Sequence, residues 1–118
     1  MVVCLKRNLN DASLFMDLTP GNYYRVISIS YDHFRIMSDD GVPGLYRSDL
    51  FNVVLQTRPD DWITVKDPDG KEMYQGPECL ARPGFFEDWF DGKQPEYWVL
   101  RQRLSRWGDG EDYLVNSG

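Results

Sequence analysis

The residues able to do chemistry are few and scattered. One histidine, His33, and two cysteines, Cys4 and Cys79, are the soft ligands available. They cannot complete a tetrahedral zinc site without carboxylates, and no two of them stand at a short ligand spacing. No Gly-x-Ser-x-Gly elbow is present to raise a nucleophilic serine. The glycines at 41 and 44 lack the lysine and the following helix of a phosphate-binding loop. Asp39 with Asp40, and Asp60 with Asp61, are adjacent acid pairs. Neighbours in extended chain point to opposite faces, so these pairs suit turn hydrogen bonds better than chelation. Glu87 and Asp91 share a helix face but lack a third ligand. The expectation is a chain without catalytic residues, metal or cofactor.

Charge points to binding instead. The chain has 118 residues and a net charge of −6. Residues 1–57 hold five Lys/Arg and six Asp/Glu, whereas residues 58–118 hold eight and thirteen. An acidic second half repels phosphate backbones, which disfavours nucleic acid as a partner. A basic protein surface is the partner class that such a field attracts, although acidity also serves plain solubility. No apolar run is long enough to span a membrane, and the five-residue apolar start is too short for a signal peptide. A cytoplasmic protein is expected, with both cysteines as buried thiols.

The elements that must position these groups are mostly strands. "VVCL" (2–5) reads as a buried first strand, followed by a long loop that Leu14, Phe15 and Leu18 tuck onto the core. "YYRVISIS" (23–30) is rich in β-branched and aromatic residues. "HFRIM" (33–37) alternates with a period of two. Asp40-Gly41 marks a hairpin, and "VPGLYR" returns from it. Pro43 lacks a backbone donor, so that strand belongs at an edge or a bulge. "SDLF" (48–51) reads as one helical turn capped by Ser48, and "NVVL" (52–55) as a closing strand. A second hairpin follows: "WITVKD", a Pro68-Asp69-Gly70 turn and "KEMYQG".

Residues 18–54 resemble the small SH3-like modules found in many bacterial and phage proteins of unknown role. Tyr24, Val26, Asp40, Gly41, Tyr46 and Phe51 carry the resemblance. It implies a small barrel at residues 1–56. It does not extend to proline-rich peptides, because no Trp-Trp pair occurs and no Trp precedes residue 62.

Two helices close the chain. In "FFEDWFD" (85–91), Phe85, Phe86, Trp89 and Phe90 fall within an arc of about 140°, with Glu87, Asp88 and Asp91 behind them. The acidic back is either a solvated face or a contact for a cationic partner. In "PEYWVLRQRLSRWG" (95–108), Tyr97, Leu100, Leu104 and Trp107 span about 80° and form the stripe meant for the core. Trp98 falls on the polar side, either covered by another element or open to a partner. Arg101, Arg103 and Arg106 do not line up, and suit pairing with nearby carboxylates. Tyr113-Leu114-Val115 in the acidic tail could add a short strand.

The expected fold is α+β and β-rich: an SH3-like small barrel (1–56), extended by a β-hairpin, with two C-terminal helices (57–118), in a single compact domain over residues 1–118. The expected function is that of a small acidic protein-binding protein. It would mask a basic partner surface, for example of a nuclease or toxin, as an immunity protein or a phage inhibitor does. Glu87, Asp88, Asp91, Trp98, Asp60 and Asp61 are the expected contacts. The alternative is an SH3-like scaffold or regulatory module that binds through its barrel loops at 39–44 and Tyr46; a carboxylate-based enzyme is a third reading.

Overall fold

A computed structural model describes residues 1–7 and 17–107. Leu14, Phe15 and the 113–115 segment lie outside the described residues. The strands are β1 (Val2–Leu5), β2 (Tyr23–Ser30), β3 (His33–Met37), β4 (Pro43–Arg47), β5 (Phe51–Leu55), β6 (Trp62–Lys66) and β7 (Glu72–Pro77). Short 3-10 turns occupy Ser48–Leu50 and Glu78–Leu80, and the helices are α1 (Phe85–Phe90) and α2 (Gln94–Trp107). The protein is therefore β-rich α+β, with both described helices at the C-terminal end. Among the described residues no helix is long and apolar enough to cross a membrane.

Every strand pairing is antiparallel. The sheet runs β4-β3-β2-β1-β5, and β7 attaches to β2 with β6 outside it. Eight-residue β2 is the hub. Its first half pairs β1, its second half pairs β3, and Ile29 also meets Gln75 of β7. A register shift between Val26 and Ser28 lets the strand bend between these partners. Pro43 lies in edge strand β4, where its missing donor interrupts no central ladder.

β2 also divides the core. Tyr24, Val26 and Ile29 join Val3, Leu5, Phe34, Ile36 and Phe51 in one buried cluster. Ile27 points the other way and joins Leu80, Phe85, Phe86 and Leu100. One face of the sheet thus closes over the first cluster, and the helices cover the opposite face through the second. Alternation along a strand makes this two-sided burial possible.

Three local expectations need correction. Ser48 does not cap its turn: Arg47 occupies the cap position, with no side-chain cap bond. Cys79 is exposed and Cys4 half-buried, so these are not two buried thiols; the Cys4 thiol donates to the Gly21 carbonyl at 3.3 Å. The apolar stripe of α2 is only partly inside. Leu100 is buried and Leu104 half-buried, but Tyr97 is 39% exposed. Arg103, off the stripe, is as fully buried as Leu100.

Candidate functional site

α1 and α2 meet at an angle that brings four aromatic rings into sequence. Phe90 packs edge-on against Trp89, centroids 5.2 Å apart. Trp89 stacks on Tyr97 across the helix junction at 6.4 Å, with planes inclined by 17°. Tyr97 meets Trp98 edge-on at 5.5 Å. These are favourable aromatic geometries. Yet the rings are not buried: Phe90 is 52% exposed and Trp98 50%. The indole N–H of Trp98 donates to Gln94 Oε1 at 3.0 Å, and the Arg101 guanidinium lies 5.4 Å from its ring centre. Trp98 is therefore held in one orientation with a large part of its surface in water.

The ribbon is anchored from below. Phe85 and Phe86, the other half of the aromatic wedge, are buried and in contact at 5.2 Å. Arg35 of β3 lies 4.1 Å over the Phe86 ring. Helix periodicity does not explain the split, since it sets Trp89 on the side of Phe85 and Phe90 on that of Phe86. The first turn of α1 is buried, Trp89 is half-buried at the edge of the same cluster, and Phe90 is exposed. The sequence pattern grouped all four rings as one wedge, and only the packing separates them.

The acidic residues divide by what they touch. Asp88 is engaged: Arg82 reaches it at 2.8 Å and Lys93 at 2.9 Å. Hydrogen bonds from Lys93 and Arg82 hold its carboxyl below the usual carboxylate range. Glu96, beside them, also takes a bond from Arg82 at 3.2 Å. Asp61 is engaged too, by both Nε and Nη2 of buried Arg103 at 2.8 Å. Glu87 and Asp91 are exposed, and neither carboxylate forms a hydrogen bond or a direct ion pair among the described residues, although their charges act on Arg35 and Lys93. Asp60 is exposed in the turn before β6. The turn of Asp60 and Asp61 lies on the inner side of α2, where Arg103 points; Trp98 points away from it, about 140° round the helix. The six residues expected as contacts thus do not form one patch. Glu87, Asp91 and Trp98 belong to the α1–α2 face.

The hairpin corner is engaged internally. Asp39 accepts hydrogen bonds from Tyr24 Oη at 2.9 Å and Thr19 Oγ1 at 2.7 Å. Tyr46 Oη donates to Asp17. The Asp39 amide donates to the Asp17 carbonyl at 2.8 Å. Gly41 adopts φ 78°, as the tight corner needs. His33 lies beside Asp32, with Nδ1 at 2.9 Å from Oδ1. Among the described residues no three His, Cys, Asp or Glu are grouped to hold a metal. No family model matches this chain, and neither a curated protein nor a solved structure matches it.

Proposed function

We propose that this chain is a protein-binding module that docks a partner against the α1–α2 face and masks the partner surface it covers. The aromatic ribbon carries this reading. Phe90 and Trp98 are half in water although each packs edge-on against a neighbouring ring, and large aromatics are prominent among the side chains that dominate binding hot spots. Covering the exposed half of such a ring is worth about 1–1.5 kcal/mol of transfer free energy before association costs. Glu87 and Asp91 stand exposed near the Phe90 end, with Arg35 and Lys93 of the chain within electrostatic reach, and would meet Lys or Arg of the partner. The net charge of −6 adds long-range attraction to a basic surface. Occlusion of the immunity-protein or phage-inhibitor kind needs no more than this.

We read residues 1–56 as an SH3-like small barrel. The strand order β4-β3-β2-β1-β5, with a 3-10 turn between β4 and β5, supports that reading. Binding through the barrel loops has less to work with, since the polar groups of Asp39 and Tyr46 are already hydrogen-bonded within the chain.

The test is affinity capture from host lysate with the unaltered chain, a Phe90→Ser/Trp98→Ser variant and a Glu87→Lys/Asp91→Lys variant. The first variant should lose the captured protein. The second should bind more weakly at low salt, with a shallower salt dependence than the unaltered chain, because the attraction that salt screens is gone. Partners retained equally by all three chains would sink the proposal.

A further inference from the structure

Beside the ribbon runs a cleft of about 410 Å³ between the β3–β4 corner and α2. Met37, Leu100 and Leu104 line it together with the Trp89 and Tyr97 rings, and Arg101 and Ser105 supply its polar side. None of its lining residues is acidic, in a chain with 19 Asp and Glu. A second hollow, of about 430 Å³, lies across Arg101 and Ser105 and is bounded by Trp98 and Gln102. Arg101 therefore stands on the ridge between two hollows. It is exposed, stacked on Trp98, and makes no ion pair with a described residue. Arg47, Arg82 and Arg103 by contrast each hold a carboxylate of the chain.

We propose that this cleft is the anchor pocket of the interface: it receives one apolar side chain of the partner, and Arg101 pairs with a carboxylate next to that side chain. The inference rests on the protein-binding reading above. Its size and apolar lining suit a single large side chain, with the few polar groups gathered on one side to set orientation. A guanidinium pre-placed on an aromatic face loses little freedom on binding a carboxylate. The two charge signs also lie at opposite ends of the ribbon. Glu87 and Asp91 flank Phe90, and Arg101 flanks Trp98. A partner must then present its base and its acid in that order, which fixes its direction along the face.

The test uses small probes on the isotope-labelled full chain, followed by NMR. N-acetyl-L-phenylalanine joins an aromatic side chain to a carboxylate. Its amide removes the charge, and N-acetylglycine removes the side chain. The acid should bind with Kd on the order of 1 mM, shifting the signals of Met37, Leu100, Leu104 and the Trp89 indole. The amide should bind about fivefold more weakly, and Arg101→Gln should bring the acid down to the amide. Ser105→Tyr, which crowds the mouth, should weaken both. Equal binding of acid and amide, an unchanged Kd in Arg101→Gln, shifts at other residues, or no binding would each overturn the proposal. Partner capture with the Phe90/Trp98 variant bears on the face as a whole and leaves the probe result unaffected, so the two failures are distinguishable.

Discussion

Arg103 of α2 grips Asp61, in the turn before β6, through two parallel hydrogen bonds of 2.8 Å. The two residues are 42 positions apart, and the arginine is 2% exposed. This fork-to-fork pair ties the last described helix to the second hairpin, on the side of α2 away from Trp98. It also removes Asp61 from the set of acids open to a partner.

Only 1% of the Arg103 side chain is exposed against 26% of Asp61, so the costlier change is the one that takes the two hydrogen bonds from the buried guanidinium. Asp61→Leu should therefore cost about 3 kcal/mol in urea unfolding. Asp61→Leu combined with Arg103→Met should recover much of that loss, because the buried charge is removed with its partner. A single substitution costing under about 0.5 kcal/mol, the range of ordinary surface changes, would show that the clamp is not structural.

Three tyrosines should make the fold alkali-sensitive. Burial, then the bond to Asp17, raises the Tyr46 hydroxyl far above its ordinary value. Burial is also the main cause for Tyr74, followed by Cys79, and for Tyr24, with the Asp39 bond adding to it. The native state thus keeps these protons longer than the unfolded chain does. The stabilisation is complete below the ordinary tyrosine value of 10.0 and is lost as pH rises through the raised native values. Tyrosinate absorbance should show Tyr46 and Tyr74 ionising well after the exposed tyrosines, with Tyr24 above its ordinary value. Seven tyrosines titrating together near that ordinary value in folded protein would contradict this. Tyr46→Phe should cost about 1 kcal/mol through the lost Asp17 bond.

At acid pH the sign reverses. Lys93 and Arg82 depress the Asp88 carboxyl, so its contribution is present above the ordinary carboxylate range and lost as pH falls through the native value. Lys93→Gln should move the Asp88 titration upward, as followed by carboxyl NMR. An unmoved titration would mean that Arg82 alone sets it.

Stability and binding should separate on the aromatic face. Phe90 and Trp98 are half exposed, so Phe90→Ser and Trp98→Ser should each cost only about 1–1.5 kcal/mol of unfolding free energy, from the half of each ring that is packed. Partner affinity should fall by more than about tenfold in each. A large loss of stability would reassign these rings to structural support.

Local signals made most elements legible. β2 and β3 fall at 23–30 and 33–37, where the β-branched and alternating patterns place them. The one-turn helix, the second hairpin and both helices lie within a residue or two of their expected bounds. Turn chemistry and side-chain period act over a few residues, so the chain itself carries them. The site was less legible. Five acids and a tryptophan can be named from the acidic second half, but Tyr97 reads as core by its period and lies 39% exposed. Arg103 has no feature that distinguishes it from Arg101.

The sequence by itself determined where strands and helices form, that Asp40-Gly41 is a corner, and that the second half is acidic. These follow from backbone preference and composition. Only the tertiary structure decided that Asp88 and Asp61 are held by arginines of the chain while Glu87 and Asp91 are not. It alone joined Phe90, Trp89, Tyr97 and Trp98 into one exposed ribbon with Arg101 at its end. The reason is that a side chain's partner depends on which elements become neighbours. That is set by how β2 shares its two faces and by the angle at which α1 meets α2, and no short stretch of chain contains either.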